Sequence, residues 1–569
     1  MPLLKYLKQH SVFILILVAS LPLKFAVAQN MPWEIDIVPV VARNVEYTIP
    51  PVGTLASVAA YNLPMLSWLH LPAQWITGDV WWTIFLTMLI FNLLSTTAVY
   101  ALGNRMFNQR VASVAAALFT FSEVGVSSSY TAWAQLLLPG FFAMVMLCLW
   151  LWIEREQGVW LALAGIIATA AFMTHFSALL LYPTMLIIAL ITRTKWQIKW
   201  LLMGAGVVAL MFTPYILVQI ERDFVDAKAF ITQEPLVSAD ILAQYEIYKP
   251  GYREFESPAQ ITTIPVIAPI EEIAIEENPT IGATRPRWLR AIDYALEAPS
   301  WYWQAMNTAF TTQAPAINQA HPSISPIIQL FFLLQPTLLV ISIGAAIIQT
   351  IRGDFPKKWT FTTSESGRLL LLVLFISVMI ALMILTRTIG NASYWMGFMS
   401  IEFLIISYAV ILLPNTRRYT LLIILIVCMY IGIQTTERSL RLIQHDDTQF
   451  SVYNVSIYRH VEAAIDYIAE DWQGDETITI SYDILQDANN LWWVPAWHTI
   501  DPLYTMGMNF DFLLSYHHDL VNTNIDPIGT LDPVLADYIV VYTPSLSNYD
   551  LKQYTATQFG TIVVLKPMD

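Results

Sequence analysis

The sequence has little charge and little cysteine. Only 13% of its 569 residues are charged, whereas soluble domains average about 25%, and 56% are hydrophobic. Its two cysteines, Cys148 and Cys428, both lie inside apolar runs, so we expect buried free thiols and no disulfide. The net charge of −14 argues against nucleic acid as a partner, because that partner requires a basic patch. This composition is typical of an integral membrane protein.

Several short motifs are also absent. The sequence contains no CxxC or HExxH motif, no Walker-type phosphate loop and no glycine-rich dinucleotide fingerprint. The enzyme classes that these motifs mark therefore receive no support. Tryptophan is abundant instead, with 20 copies, which suits a protein that anchors many helices at membrane interfaces.

Apolar stretches long enough to cross a bilayer recur along the chain. We predict an all-α polytopic protein of about eleven spans, the third of which contains Glu123 and a serine-rich end. We expect that span to be tilted or sheltered by other helices. The predicted spans are 11–29, 80–101, 111–130, 134–153, 159–174, 177–192, 200–218, 324–349, 369–387, 395–413 and 419–435.

The distribution of lysine and arginine predicts the orientation. With the N-terminus inside, every short inner segment carries Lys or Arg. The short outer turns at 130–133, 174–177 and 388–394 carry neither. We therefore predict a multi-pass protein of the plasma (cytoplasmic) membrane, with an inner N-terminus and an outer C-terminus.

The N-terminus has a second interpretation. Lys5 and Lys8, the apolar run and Ala26-Val27-Ala28 resemble a signal peptide with a small-residue cleavage site. Pro22 and Lys24 interrupt the run and weaken both interpretations. We favour an uncleaved first helix; cleavage after Ala28 would remove one span and leave the rest in place.

Three longer segments are predicted outside, at 30–79, 219–323 and 436–569. The first two belong to a transmembrane module at 1–435. In the second, 255–285 has no helical period and is predicted to be extended, whereas 287–310 has the spacing of a helix on the membrane surface.

The last segment, 436–569, is predicted to be a small extracytoplasmic α/β domain. Helical spacing predicts a helix at 455–471. Runs of β-branched residues predict strands at Thr477–Ser481, Tyr538–Tyr542 and Thr561–Leu565.

Two carboxylates stand just beyond the first span, in Trp33-Glu34-Ile35-Asp36. Acidic side chains at a membrane edge are functional candidates. Either Glu34 or Asp36 could act as a general base for an incoming hydroxyl, and the two together could hold a divalent cation. The alternative is an ordinary solvated loop.

The surrounding residues resemble the GT-C membrane glycosyltransferases, in particular the protein O-mannosyltransferase, aminoarabinose transferase and rhizobial lipopolysaccharide transferase group. The resemblance covers about residues 10–220 and depends on the order of its motifs. These are Glu34-Ile35-Asp36, Ala42-Arg43-Asn44, Pro50-Pro51-Val52-Gly53, Gly78-Asp79, Tyr100-Ala101-Leu102-Gly103-Asn104-Arg105-Met106-Phe107, Val111-Ala112 and Thr174-His175.

The resemblance implies a helical membrane body with an outer active site. It implies hexosyl or pentosyl transfer from a polyprenyl-phosphate donor to an acceptor hydroxyl on a glycan, lipid or protein, usually with inversion. The essential acid of the family lies in the first outer loop, which assigns the base to Glu34 or Asp36, with a preference for Asp36. No cofactor is certain; a divalent metal is possible, with Glu34 and Asp36 as its ligands.

One departure from the family is the absence of an arginine between the third and fourth spans, at 130–135. A departing lipid phosphate requires charge stabilisation. Trp301 and Trp303 are expected to bind the lipid tail of the donor. The candidates for the phosphate are His175, Arg43, Arg222, Arg387 and the cluster Arg285, Arg287 and Arg290.

Two other functions compete with the transferase. A transporter or lipid flippase would place ionisable residues near the bilayer midplane and often has repeated halves. Here the candidate carboxylates lie in an outer loop and no repeat is visible. An inactive GT-C-like scaffold is the other alternative, for which the missing arginine is the main argument.

Overall fold

The structure is a computed structural model, and it describes most of the membrane region and parts of the C-terminal segment. The predicted span 324–349, the predicted extended segment 255–285 and the predicted surface helix 287–310 lie outside the described residues. The described residues are 8–29, 31, 37–46, 48–54, 61–129, 131–232, 364–386, 396–412, 419–444, 458–483, 506–523, 536–542, 549–560 and 562–568.

The described part of the chain is mostly helical. Helices α1 to α14 are Ser11–Ala28, Ile37–Glu46, Met65–Thr77, Val80–Met106, Gln109–Phe121, Glu123–Ser127, Ala134–Arg155, Gly158–Thr174, Leu181–Thr192, Ile198–Glu221, Val225–Thr232, Glu365–Thr386, Met399–Leu412 and Tyr419–Gln444. Five of the described helices contain a stretch long and apolar enough to cross a membrane: Ser11–Ala28, Val80–Met106, Ala134–Arg155, Ile198–Glu221 and Glu365–Met383. Shorter apolar helices lie at four further predicted spans, namely Gly158–Thr174, Phe176–Thr192, Met399–Ile411 and Leu422–Ile433.

The predicted third span is broken into two helices. The first helix ends at Phe121, and Ser122 caps the next one by accepting a hydrogen bond from the backbone N–H of Gly125 at 3.1 Å. A Cβ at Gly125 would lie 1.9 Å from the carbonyl oxygen of Phe119, so only glycine fits this turn. The weak hydropathy of this span thus reflects a break in the helix.

Lys24 supports that break from the first helix, which continues through Pro22. Its fully buried ammonium donates to the carbonyl oxygens of Gly125 and, at 3.4 Å, of Thr120. The side-chain amide of Asn92 donates to the same Gly125 oxygen at 2.9 Å. A helix break leaves backbone carbonyls without intrahelical donors, and these side chains supply donors that lipid cannot.

We expect Lys24→Met to destabilise the protein. The substitution keeps the apolar stem but removes the ammonium from two buried carbonyls, which costs about 1–3 kcal/mol. Thermal unfolding in detergent should therefore show a lower Tm for this variant. Lys8→Met is the matched control, because Lys8 is exposed near the start of the same helix; equal Tm values for the two variants would contradict the role given to Lys24.

The apolar core runs through the whole described part of the chain. In the membrane region it includes buried side chains of α4, α5, α7 and α13, with Trp150 and Trp152 of α7 fully buried. The same contiguous cluster continues into the C-terminal region, residues 458–568, through side chains such as Tyr458 and Val564. The two parts are therefore joined by apolar packing as well as by the chain.

The C-terminal region contains helices and strands close to the predicted positions. Strand β4 matches its prediction to the residue, β6 begins within one residue of it, and the predicted strand at Thr477–Ser481 appears as the short strands β1 and β2. Helices α15 and α16 are Tyr458–Asp471 and Met506–His518, and strands β1 to β6 are Thr477–Ile478, Ile480–Asp483, Val521–Asn522, Tyr538–Tyr542, Tyr554–Phe559 and Ile562–Pro567.

Four of these strands form a mixed sheet in the order β2-β4-β6-β5. The β2–β4 pair is parallel, and the other two pairs are antiparallel. Helix α15 packs on this sheet, where Asp471 accepts a hydrogen bond from Lys566 at 2.8 Å. The same carboxylate accepts from the hydroxyl of Tyr538 at 2.5 Å, so the end of the helix is fixed to two strands.

The C-terminal region contacts the membrane helices where the first loop, residues 30–79, leaves α1. The backbone N–H of Tyr458 donates to the carbonyl of Met31 at 2.9 Å. The guanidinium of Arg459 lies 5.6 Å from the ring centroid of Trp81, and the indole of Trp81 donates to the carbonyl of Ala28 at 2.9 Å. These contacts join the start of the C-terminal region to the residues that follow α1 and to the start of α4.

Candidate functional site

The first loop contributes two described helices, α2 and α3. Helix α2 begins at Ile37, the residue that follows Asp36 in the sequence. It packs on α3, where the side-chain amide of Asn44 donates to the carbonyl of Ser67 at 3.0 Å. This packing turns the neighbouring Arg43 inward, and only 1% of its surface is exposed.

Arg43 lies over the ring of Tyr61, with 4.8 Å between its guanidinium carbon and the ring centroid. Arg222, which follows α10, lies 5.0 Å from the same centroid. The ring is 2% exposed, so both cations contact it in a desolvated environment, where cation–π attraction is strongest. Tyr61 thus brings together two arginines that are far apart in the sequence.

Asp226 supplies the negative charge of this group. One carboxylate oxygen lies 3.4 Å from a guanidinium nitrogen of Arg222 and accepts the backbone N–H of Tyr61 at 3.1 Å. The other oxygen accepts from the amide of Gln219 at 2.5 Å. Asp226 is fully buried, so its cost of desolvation is offset by these three partners.

The turn between α10 and α11 places Arg222 and Asp226 on the same side. Asp223 and Phe224 both have positive φ, at 52° and 57°, a region that few residues other than glycine adopt. The backbone N–H of Phe224 donates to the carbonyl of Gln219 at 2.7 Å and stabilises the turn. Strain of this kind persists only where surrounding contacts maintain it, which indicates that the placement of these two side chains matters.

The cluster of Arg43, Tyr61, Arg222 and Asp226, named here the arginine pair site, carries two positive charges and one negative charge. Paired guanidinium groups match the oxygens of a phosphate, because each presents several N–H donors in a fixed plane. The arrangement is therefore suited to an anion with several oxygens. Sequence reasoning identified both arginines as separate candidates and missed Tyr61 and Asp226.

His175 lies at the same end of the helices as the arginine pair site. Its neighbour Met173 packs in one apolar cluster with Tyr61 and Tyr215. The ring nitrogen Nδ1 of His175 accepts from the backbone N–H of Ser177 at 3.3 Å and caps the turn there. Desolvation lowers the pKa of His175 to about 4, so its ring is neutral at pH 7 and can assist a phosphate by hydrogen bonding only.

The other predicted site residues fall outside the described part of the chain. These are Glu34, Asp36, Arg387, Trp301, Trp303 and the cluster Arg285, Arg287 and Arg290. Their assignment, including that of Glu34 and Asp36 as possible metal ligands, remains a prediction from the sequence. The described structure fixes the start of α2, one residue after Asp36.

Comparison with known proteins agrees with this architecture. Residues 61–217 match the family of dolichyl-phosphate-mannose-protein mannosyltransferases. This segment contains Tyr61 and ends just before the turn that carries Arg222. No curated protein matches the sequence.

Two solved structures are similar to this chain at low sequence identity, and the first of them shares its fold. ArnT from Cupriavidus metallidurans bound to undecaprenyl phosphate superimposes with a TM-score of 0.51 at 11% identity, over 98% of both chains. The Archaeoglobus fulgidus oligosaccharyltransferase in complex with Zn and sulfate gives a TM-score of 0.45 at 12% identity, over 94% of this chain and 68% of that one. This chain therefore resembles the GT-C membrane glycosyltransferases in the sequence of residues 61–217 and in its fold.

Proposed function

We propose that this chain is a glycosyltransferase that moves a sugar from a polyprenyl-phosphate donor to an acceptor hydroxyl at the outer face of the membrane, with inversion. The observation that carries the proposal is the meeting of Arg43 and Arg222 on Tyr61. Arg43 lies on α2, the helix that begins one residue after Asp36. ArnT, which shares the fold, was solved with undecaprenyl phosphate bound, and this supports a lipid carrier here.

In the proposed reaction the two arginines hold the departing phosphate. The bond from the anomeric carbon to the phosphate oxygen breaks, and negative charge accumulates on the phosphate oxygens. Buried guanidinium groups that are fixed in advance stabilise that charge without reorganisation during the reaction. Asp226 neutralises part of the charge of the site, which makes the two arginines tolerable before the donor binds.

Asp36 is the proposed base, and Glu34 is the alternative. The acceptor hydroxyl loses its proton to the carboxylate as its oxygen attacks the anomeric carbon from the side opposite the phosphate. Arg43 lies about 9 Å along the axis of α2 from Ile37, the first residue after Asp36. The proposed mechanism places the sugar between Asp36 and Arg43.

The outer face is the proposed location of the reaction for two reasons. Lys and Arg mark the short loops on the side opposite the first loop, which by the positive-inside rule is the cytoplasmic side. In addition, charged nucleotide sugars do not cross a bilayer unaided, so a transferase that acts outside requires a lipid-linked donor. The acceptor is a glycan, lipid or protein that carries a free hydroxyl.

Binding of undecaprenyl phosphate to the purified protein in nanodiscs tests the phosphate site. Arg43→Ala and Arg222→Ala should each weaken binding about 10- to 100-fold, because a hydrogen bond to a charged group contributes about 1.5–3 kcal/mol. Undecaprenol, which lacks the phosphate, should bind all variants equally. The expected loss is therefore specific to the charged head of the lipid.

Arg105→Ala is the matched control for this experiment. Arg105 is half exposed at the C-terminal end of α4, where its guanidinium lies 3.7 Å from the carboxylate of Glu154. Its removal should leave binding unchanged, and Arg222→Lys should keep part of the affinity because it keeps the charge. Unchanged affinity in both alanine variants, with Tm values showing folded protein, would remove the arginine pair site from the proposal.

A further inference from the structure

A second group of polar side chains lies where the C-terminal region contacts the membrane helices. Asp79 precedes α4, Glu462 lies on α15 and His517 lies near the end of α16. One potential ligand atom from each residue lies within 4.8 Å of the other two. Three segments distant in the sequence therefore present two carboxylates and an imidazole to one point.

Asp79 is held in place by its second role as a helix cap. One carboxylate oxygen accepts the backbone N–H of Trp82 at 2.6 Å, and the carboxylate has a second oxygen to offer. The adjacent Trp81 packs under Arg459, three residues before Glu462. The position of Asp79 relative to α15 is therefore set by packing and does not depend on a flexible side chain.

The electrostatics of the group favour a cation. Asp79 and Glu462 bring two carboxylates together, and Asp466 lies one helical turn after Glu462 on α15. The imidazole of His517 adds a nitrogen ligand to them. Two carboxylates and an imidazole in one half-buried site gain stability when a positive ion is placed among them.

A buried hydroxyl points to the same position. Tyr458 is 0% exposed, and among the described residues its hydroxyl has no hydrogen-bond partner. Tyr458 lies one helical turn before Glu462 on α15, so the two side chains share one face of the helix. The Nε2 atom of His517 is likewise buried and has no partner in the described part. Buried polar groups are normally satisfied, which indicates that a ligand belongs here.

We propose that Asp79, Glu462 and His517 bind a divalent transition-metal ion, best matched by Zn²⁺, that fastens the C-terminal region to the membrane helices. Two carboxylate oxygens and one imidazole nitrogen form a three-ligand set of the kind that zinc accepts, with water as a fourth ligand. Mg²⁺ and Ca²⁺ prefer oxygen ligands only, so the imidazole selects against them. The Tyr458 hydroxyl is placed to hydrogen-bond the water.

Binding requires a small contraction of the site. Ligand atoms at about 2.1 Å from a tetrahedral ion lie about 3.4 Å apart, somewhat closer than the 4.8 Å limit of the present arrangement. Rotation of the Glu462 and His517 side chains can supply this shift. The ligands come from the membrane helices and from the C-terminal region. The ion therefore strengthens the association of these two parts, independently of any effect on sugar transfer.

The test measures zinc in the purified full-length protein, carried on a tag without histidine and stripped with a chelator. After equilibrium dialysis against micromolar ZnCl₂, elemental analysis should give one zinc per chain, and the Tm should rise relative to the stripped protein. His517→Ala and Glu462→Gln should each bind far less zinc and lose the rise in Tm. Mg²⁺ in place of Zn²⁺ should leave the Tm unchanged.

His518→Ala is the matched control, because His518 neighbours His517 and instead contacts Asp466 at 2.8 Å. This variant should keep one zinc per chain and the full rise in Tm. The proposal is overturned if the unmodified protein binds no zinc, or if His517→Ala and Glu462→Gln both retain one equivalent. Two ligand variants are used so that misfolding of either one leaves the other to decide.

Discussion

Asp36→Asn should abolish sugar transfer while leaving the donor bound. The substitution keeps the size of the side chain and removes its ability to take a proton, a change that typically costs about 10²- to 10⁴-fold in rate. The charge of the arginine pair site is untouched, so affinity for undecaprenyl phosphate should stay within a factor of a few. The rate is measured as release of polyprenyl phosphate from a panel of polyprenyl-phosphate sugars under single-turnover conditions.

Glu34→Gln decides which carboxylate is the base. If Asp36 takes the proton, Glu34→Gln should keep most of the rate, whereas the reverse result would move the assignment to Glu34. Asp223→Asn is the control for removal of an acidic group, because Asp223 is exposed and its positive φ suits asparagine as well as aspartate. If neither Asp36→Asn nor Glu34→Gln slows transfer, the base lies elsewhere, whereas a loss of lipid binding in either variant would indicate a positioning role.

The membrane helices could be predicted from the sequence because lipid imposes a simple rule. A span must be apolar over about 20 residues, and that pattern is visible without knowledge of tertiary contacts. The prediction was least informative where packing overrides the rule. Lys24 interrupts an apolar run in the sequence, but in the structure its ammonium satisfies carbonyls at the break near Gly125, a partnership between residues that are far apart in the chain.

The C-terminal strands were predictable for a similar local reason. Tyr538–Tyr542 is a short β-branched run with polar neighbours, and its bounds agree with the structure. The order of the strands was not predictable, because the parallel pairing of β2 with β4 depends on a crossover between distant segments. Pairing of this kind leaves no periodic signal in either strand.

The candidate site likewise combines residues that the sequence could indicate with contacts that it could not. Arg43 and Arg222 attract attention in the sequence because a lipid phosphate requires a cation, but nothing local indicates that they meet. Tyr61 is a single aromatic residue in a loop, and the role of Asp226 depends on two residues with positive φ that precede it. Asp79 was noted in the sequence only as part of Gly78-Asp79, and its meeting with Glu462 and His517 was missed because the three residues form no short-range motif with one another.

The second large effect is expected from Asp226→Asn, which should destabilise the protein and strengthen its hold on phosphate. Removing the carboxylate deprives Arg222 of a buried ion pair, and loss of one partner from such a pair costs about 3–5 kcal/mol. The same change leaves the arginine pair site with two positive charges and no carboxylate from Asp226. Undecaprenyl phosphate should therefore bind at least as tightly as to the unmodified protein, and it should raise the Tm of the variant by more.

The opposite signs of the two effects separate an anion site from a purely structural cluster. If Arg43, Arg222 and Asp226 only hold the loop in place, Asp226→Asn should lower stability and lipid binding together, and Arg222→Ala should do the same. The double substitution Arg222→Met with Asp226→Leu provides the comparison, because replacing a buried pair by apolar residues is often neutral for stability. That variant should recover much of the Tm and still fail to bind undecaprenyl phosphate, since stability returns without the cation that the phosphate requires.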